Sequence, residues 1–266
     1  MQMQRWIQEG RGLGHGVEYR PWRQVQDVLS IGHAHKVPGL KVRRMHQVLS
    51  DLEAACLTLL EFQPDVLDIR EQFPLLPTEL TERAAAILNV RHPVYVGTHL
   101  AQVLTTDFCV DVKGTDQSIT EVAIAVKYGQ DLVDACTREL LAIEREANRI
   151  VGRRWFVFTE ITVPGVITRN LAWLRGHASP LDTLNKVTVL DFCRTFRRSF
   201  RPDLSLGYVL TRVQRALRIS ASQALELFAI AAWHQYLVVR LDVEISVRRP
   251  LVLADRYPDL LRLTSQ

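Results

Sequence analysis

Two neighbouring stretches of the chain alternate between bulky apolar residues and small or charged ones. They cover residues 105–112 and 121–127, and a period of two is typical of β-strands, whose successive side chains point to opposite faces. A polar, glycine-containing segment over residues 113–118 separates them, which predicts an antiparallel hairpin. Asp107 and Lys127 then share a face of small residues, which leaves room for a metal ion and a phosphate.

The same reading places this hairpin inside a mixed α/β domain. Helical periodicity and capping signals predict helices before and after the hairpin, and apolar runs stopped by proline or polar residues predict two further strands. The predicted elements are a helix opening at Ser50 and ending at residues 63–64, a strand over 66–73, a short helix over 81–88, a helix over 131–150 and a strand over 155–159. The order helix, strand, strand, strand, helix, strand predicts an α/β domain that ends near residue 165.

Glu53 has two possible roles in this pattern. Ser50 and Glu53 form an S-x-x-E capping box at the start of the first helix, so Glu53 could simply be the capping partner. A catalytic glutamate at the same position has the same spacing, and spacing alone does not separate the two roles.

The last hundred residues differ in kind. Prolines and glycines over residues 164–180 indicate a linker, and helices are predicted over 183–200, 206–217 and 221–236. Apolar and polar residues then alternate over 236–247, which predicts a β-hairpin. Three short helices and a hairpin are typical of a winged-helix domain over residues 166–266. Its many arginines, Arg197 and Arg198 among them, indicate a module that faces nucleic acid or docks a protein.

Charge is distributed unevenly along the chain. The formal net charge is +4, but residues 1–50 carry +5, residues 51–165 carry −8 and residues 166–266 carry +7. An acidic central segment between two basic segments is typical of a protein whose carboxylates bind cations and whose basic surfaces bind a polyanion. The alternative is a random distribution of surface charge.

Other sequence signals restrict the class of protein. The four cysteines are scattered without a C-x-x-C pair, so neither a disulfide framework nor a zinc site is predicted. The chain start has no apolar signal region, and the most apolar stretch, residues 224–239, is too short and too polar to span a bilayer. We therefore expect a cytoplasmic protein without membrane contact.

The first 46 residues are rich in glycine, arginine and histidine. Four glycines over residues 10–16 resemble a phosphate-binding loop, but their spacing does not match a nucleotide-binding motif. A flexible basic arm that touches a DNA backbone fits better, with a solvated loop packed on the domain as the alternative. The candidate DNA contacts in this arm are Arg11, His15, Arg43 and Arg44.

Asp107, Lys127 and an upstream glutamate match the pattern of metal-dependent nucleases. Cleaving a phosphodiester requires a divalent cation, an activated water and compensation of charge on the leaving oxygen. Asp107 would be the main Mg²⁺ ligand, Glu53 would complete one or two metal sites, and Lys127 would orient the water or stabilise developing charge. A solvated hairpin face is the alternative, because a strand acid and a strand-end lysine are common.

Several longer blocks resemble the TnsA family, the endonuclease subunits of heteromeric transposases in cut-and-paste bacterial transposons. They occur in one order across the predicted domain, and the block at residues 67–75 is more specific than the nuclease pattern itself. The blocks are RGLGHG at residues 11–16, YRPW at 19–22, LSDLE at 49–53, LDIREQFPL at 67–75, TDF at 106–108 with VD at 110–111, and VK at 126–127.

The resemblance implies a restriction-endonuclease-like fold for residues 1–165, including the basic arm, and a winged-helix-like domain for residues 166–266. It implies an Mg²⁺-dependent DNA endonuclease that nicks the 5′ ends of a transposon, while a TnsB-like DDE transposase cuts the 3′ ends and a TnsC-like AAA+ ATPase regulates them. Mn²⁺ would substitute for Mg²⁺, with two ions per site. Glu53, Asp107 and Lys127 match the catalytic positions.

One position departs from the family pattern, which resembles Gln-x-Lys on the second strand. This chain has Ala125, which offers no side-chain ligand, so its backbone carbonyl or that of Val126 could coordinate the metal, and Glu71 or Asp111 could add a contact. Two alternative functions follow: an assembly or targeting subunit with a weakened nuclease centre, and a stand-alone restriction-like nuclease.

Overall fold

The computed structural model describes residues 2–27, 34–180, 183, 185–258, 260–261 and 263. These residues divide into two compact units. The first unit takes its described residues from 1–60, 64–162 and 262–266, and the second from 61–63 and 163–261. In the described part of the chain, no helix is both long and apolar enough to cross a membrane.

The first unit contains the predicted α/β arrangement. Its elements are α1 (Gln2–Gln8), β1 (His35–Pro38), β2 (Met45–Val48), α2 (Asp51–Phe62), β3 (Val66–Pro74), α3 (Thr78–Leu88), β4 (Thr105–Lys113), β5 (Ile119–Val126), α4 (Ala135–Ile150) and β6 (Arg154–Phe158). The α/β class and the order from α2 to β6 are confirmed. The small sheet of β1 and β2 was not predicted, because four-residue strands carry too little periodicity.

The main sheet has the strand order β3-β4-β5-β6. The predicted hairpin is confirmed: β4 and β5 pair antiparallel with Phe108 opposite Ile124 and Asp111 opposite Glu121. β6 runs parallel to β5, which places α4 as the crossover connection. Both faces of the central strands are covered, since Phe108 and Cys109 are equally buried. The sheet therefore holds the ends of β4 and β5 in fixed positions.

The glycine-rich segment packs on this sheet as part of the domain. Gly12 adopts a positive φ of 80°, and a Cβ at this position would collide with the ring of Pro74 at the end of β3. The amide of Gly16 donates to Asp68 at 3.0 Å, and the hydroxyl of Tyr19 donates to the carbonyl of Glu71 at 3.0 Å. The prediction of a flexible arm is therefore wrong, because its glycines permit close contact with β3.

The second unit is helical, as predicted. It contains α5 (Gly165–Arg175), α6 (Lys186–Ser199), α7 (Leu206–Leu217) and α8 (Ala221–Trp233). Ser205 caps α7, and Ser220 forms a complete capping box at α8. Phe196 of α6 packs against Phe228 of α8 with ring centroids 5.7 Å apart, and Phe192 lies 5.9 Å from Phe196 within α6. Helix α5 lies where only a linker was expected.

The predicted hairpin over residues 236–247 is wrong. The side chains alternate over residues 237–241, with Leu237, Val239 and Leu241 buried, but backbone pairing is limited to an isolated antiparallel bridge between Val239 and Leu253. Farther along the segment, Asn170 of α5 donates from Nδ2 to the carbonyls of Leu241 and Val243 at 2.8 Å. Its Oδ1 accepts from the amide of Ile245 at 2.9 Å. A buried side chain thus satisfies backbone groups that a partner strand would otherwise bind.

Candidate active site

A cavity of about 320 Å³ opens in the first unit and brings the three predicted catalytic residues together. Glu53 comes from the first turn of α2, Asp107 from β4, and Lys127 directly follows β5. The other lining residues are Arg23, Leu49, Gln72, Pro93, Gln102, Leu104, Thr105, Thr137, Leu140, Leu141 and Glu144.

Asp107 and Lys127 form an ion pair at the end of the hairpin. Nζ of Lys127 lies 3.1 Å from Oδ2 of Asp107 and donates to the carbonyl of Val126 at 2.8 Å. The amide of Val126 also donates to Oδ2 of Asp107 at 2.6 Å. Burial works to lower the pKa of Lys127, but the charge and hydrogen bond of Asp107 outweigh it and raise the pKa. The lysine is therefore held as an ammonium ion.

Glu53 is part of the helix cap and also lines the cavity. Its amide donates to the hydroxyl oxygen of Ser50 at 3.1 Å, and its Oε2 accepts from the amide of Leu49 at 2.8 Å. The same carboxylate faces the cavity. Burial, followed by the negative charge of Asp107, raises the pKa of Glu53 to about 8. Capping thus fixes the position of a carboxylate whose ionised form needs a nearby cation.

Glu144 of α4 is a third carboxylate in the cavity, and our sequence reasoning missed it. Trp155 donates to its Oε1 from Nε1 at 2.9 Å. Burial and the charge of Asp107 raise the pKa of Glu144 to about 7. Its position in the sequence could have indicated it, because Glu144 lies four residues after Leu140 and three before Ala147. This spacing places the glutamate on the same face of α4 as these two apolar residues.

The oxygens at this site fit a hard divalent cation such as Mg²⁺. Carboxylate and carbonyl oxygens are its preferred protein ligands. The ammonium of Lys127 contacts both Asp107 and the carbonyl of Val126, so these two oxygens converge on one position. Ala125 is fully buried and offers no side-chain ligand. Glu71 and Asp111, considered above as additional ligands, do not line the cavity.

Glu71 instead belongs to a buried ion cluster. Arg44 donates from Nη1 to its Oε1 at 2.6 Å, and Nδ1 of His46 lies 2.8 Å from its Oε2. Burial acts to raise the pKa of Glu71, but the hydrogen bonds from His46 and Arg44 outweigh it and lower the pKa to about 2. The guanidinium of Arg44 is therefore committed to the interior.

Asp111 belongs to another group, in which ligand atoms of His15, Asp68 and Asp111 all lie within 4.8 Å of one another. Arg70 forms an ion pair with Asp111 and lies 3.7 Å from Asp68. Arg70, which also pairs with Glu121, therefore offsets part of the negative charge of this group.

The candidate DNA contacts fall into two groups. Arg11 is 6% exposed and donates to the carbonyl of Trp22 at 3.1 Å while pairing with Asp27. Arg11 and Arg44 are therefore corrected to structural residues, because a phosphate cannot reach guanidinium groups that are buried in ion pairs. The exposed candidates are His15, Arg43, Arg197 and Arg198, of which Arg197 also donates to the carbonyl of Tyr236 at 2.8 Å.

The helix and strand order, with a glutamate, an aspartate and a lysine around one cavity, defines a restriction-endonuclease-like domain. Residues 63–160 match the family described as TnsA-like endonuclease N terminal. The chain is also 44% identical over 174 residues to the transposon Tn7 transposition protein TnsA of Escherichia coli. This match covers 65% of the chain and 62% of that relative's length. The chain is thus similar to TnsA-like endonucleases, and residues 63–160 carry the family match.

Proposed function

We propose that this protein is the DNA endonuclease subunit of a transposase and nicks the 5′ ends of a transposon by phosphodiester hydrolysis. The observation that carries the proposal is the convergence of Glu53, Asp107 and Lys127 on one cavity of a TnsA-like domain. Transposon-end DNA is the substrate, a TnsB-like DDE transposase cuts the 3′ ends, and a TnsC-like ATPase regulates the assembly.

Asp107, Glu53 and the carbonyl of Val126 are the proposed ligands of Mg²⁺ or Mn²⁺, with two ions per site. When bound, the cation polarises the phosphate and lowers the pKa of a coordinated water. Lys127 orients the attacking water and offsets the charge that develops during hydrolysis. Glu144 lies close enough to Asp107 for the negative charge of Asp107 to help raise the pKa of Glu144. That pKa of about 7 suits proton transfer near neutral pH.

The proposed DNA contacts are exposed basic residues of each unit. His15 and Arg43 lie in the first unit and Arg197 and Arg198 in the second. Their charges would hold the phosphate backbone without reading sequence.

A strand-resolved cleavage assay on transposon-end DNA tests the proposal, with and without the partner transposase. We expect 5′-strand nicking that requires Mg²⁺ and the partner. The Asp107→Ala variant should not nick, although its thermal unfolding midpoint should stay within a few degrees of that of the wild type. Nicking without the partner would instead identify a stand-alone nuclease.

One observation favours a second function, that of an assembly or targeting subunit with a weakened nuclease centre. Ala125 removes a side-chain ligand from the second strand. Calorimetry with Mg²⁺ and Mn²⁺ distinguishes the two functions, because a weakened centre would bind neither metal at millimolar concentration and would still bind the partner proteins.

A further inference from the structure

The segment that enters the cavity beside the catalytic residues is anchored by buried aromatic and charged side chains. Trp22 is 1% exposed and packs against Trp6 with ring centroids 5.4 Å apart. Arg11 donates to the carbonyl of Trp22 at 3.1 Å and lies 4.6 Å over the ring of Trp6. These contacts fix the backbone at Trp22 and hence the start of the next residue, Arg23.

A second contact ties this segment to β3. The amide of Trp22 donates to the carbonyl of Gln72 at 3.1 Å. Gln72 has a φ of 48°, a left-handed conformation that is unfavourable for a residue with a side chain and is often found at functional sites. Its side chain also lines the cavity and donates from Nε2 to Oε2 of Glu53 at 3.3 Å. The segment is therefore positioned relative to the catalytic carboxylates.

Arg23 lines the cavity with a partly exposed side chain and makes no hydrogen bond or ion pair with any residue that the structure describes. Four little-exposed arginines of this unit differ, since Arg11, Arg44, Arg70 and Arg153 are each paired with a carboxylate. A guanidinium held in a cavity without a protein partner is available for a ligand.

The charge of the cavity indicates which ligand this is. Glu53, Asp107 and Glu144 repel a phosphate, and Lys127 is already paired with Asp107. A guanidinium binds two phosphate oxygens at once, which gives both charge compensation and orientation. We propose that Arg23 binds the non-bridging oxygens of the DNA phosphate at the nicking site or of its direct neighbour. This inference rests on the proposed endonuclease function and adds a substrate-positioning residue to it.

The test compares Arg23→Ala and Arg23→Lys with Arg20→Ala as the matched control. Arg20 lies on the same segment, donates to the carbonyl of Glu9 at 2.8 Å and does not line the cavity. Single-turnover nicking of end DNA is measured with Mg²⁺ in the reconstituted complex. We expect Arg23→Ala to slow nicking about 100-fold, Arg23→Lys to recover part of the rate, and Arg20→Ala to nick at the wild-type rate.

End DNAs with a single uncharged methylphosphonate locate the contact. The replacement is placed at the nicking site or at either neighbouring phosphate, and affinity is measured with Ca²⁺ so that every substrate is compared without cleavage. Arg23→Ala should bind unmodified DNA about tenfold more weakly than the wild type does. On the one modified DNA whose methylphosphonate replaces the phosphate bound by Arg23, the variant and the wild type should bind equally well. Thermal unfolding midpoints and Mg²⁺ affinities equal to those of the wild type exclude a misfolded site.

Two results would overturn the proposal for Arg23. One is wild-type nicking by Arg23→Ala, and the other is an affinity loss of the same size for all three modified DNAs. Both results differ from a failure of the proposed function. In that case the wild-type complex itself does not nick the 5′ strand, and the proposed role of Arg23 is then also wrong.

Discussion

The ammonium of Lys127 lies 3.1 Å from Oδ2 of Asp107 and 2.8 Å from the carbonyl oxygen of Val126. One cation thus contacts two oxygens that we propose as metal ligands. A divalent ion held by these oxygens would compete with the ammonium for them, and Lys127 would then be free to act on water or phosphate.

Lys127→Ala should separate metal binding from catalysis. Because the variant lacks the competing ammonium, we expect Mg²⁺ affinity in calorimetry to be at least that of the wild type, while nicking falls about 10²–10³-fold. Lys113→Ala, at the other end of β4, serves as the control and should nick normally. Full activity of Lys127→Ala would remove the lysine from the mechanism.

Glu144→Gln should make the protein more stable and less active. Because the pKa of Glu144 rises from 4.5 to about 7 on folding, the free energy of unfolding decreases as the pH rises through that interval. Glutamine keeps an acceptor for Trp155 but does not ionise, so we expect up to about 3 kcal/mol of added stability at pH 8 and slower nicking. Glu139→Gln, on the exposed face of α4, should show neither change. Urea unfolding at pH 5 and pH 8 measures the effect.

Glu71 should govern the acid stability of the first unit. Its pKa is about 4.5 when unfolded and about 2 when folded, so its stabilising contribution is complete above pH 4.5 and is lost as the pH falls toward 2. We expect Glu71→Gln to lose about 3 kcal/mol at pH 7 and to show a flatter dependence on acid pH. Denaturant unfolding from pH 7 to pH 3 measures this, with Glu82→Gln on the exposed side of α3 as the control. An unchanged acid profile would assign the stability to other groups.

Ala125→Gln should tighten Mg²⁺ binding, because it places an amide oxygen on β5 two residues before Lys127. Ala125→Leu is the matched control, since it adds similar bulk without a ligand atom and should only destabilise the buried site, by about 1–3 kcal/mol. Calorimetric titration and thermal unfolding measure both effects. Equal metal affinity in the two variants would show that this position does not face the metal.

Arg197 and Arg198 should contribute to DNA binding through phosphate contacts. If each neutralises one phosphate, the double alanine variant should reduce the slope of log affinity against log salt by about 1.8, from about 0.9 for each contact. Affinity measured over a range of salt concentrations tests this. A salt dependence that matches the wild type would indicate that this surface docks a protein.

The hairpin of β4 and β5 could be predicted from the sequence because alternation determines which side chains share a face. Asp107 and Lys127 could be assigned from that pattern, and Glu53 from its capping box with the resemblance to TnsA. Local pattern does not report tertiary partners, however. Arg11 and Arg44 therefore looked like free cations, although each is neutralised by an acid more than fifteen residues away.

Residues 241–245 show the same limit in the second unit. Their alternation agrees with the burial of Leu241 and Ile245 but not with the exposure of Val243, and a strand would also have needed a hydrogen-bonding partner elsewhere. Asn170 supplies those hydrogen bonds, and no pattern within residues 236–247 could indicate it. Glu144 was overlooked for a related reason, since its role depends on Asp107 in a distant strand.

The start of α2 also restricts how this chain can change over evolution. The carboxylate of Glu53 that lines the cavity also accepts from the amide of Leu49 and the hydroxyl of Ser50, just before the helix. A substitution that removes this carboxylate would also remove both hydrogen bonds, while the Ser50 cap on the backbone amide of residue 53 would remain. A descendant that lost nuclease activity would therefore still be under selection to keep an acceptor here, so a glutamate at this position is weak evidence that a relative is active.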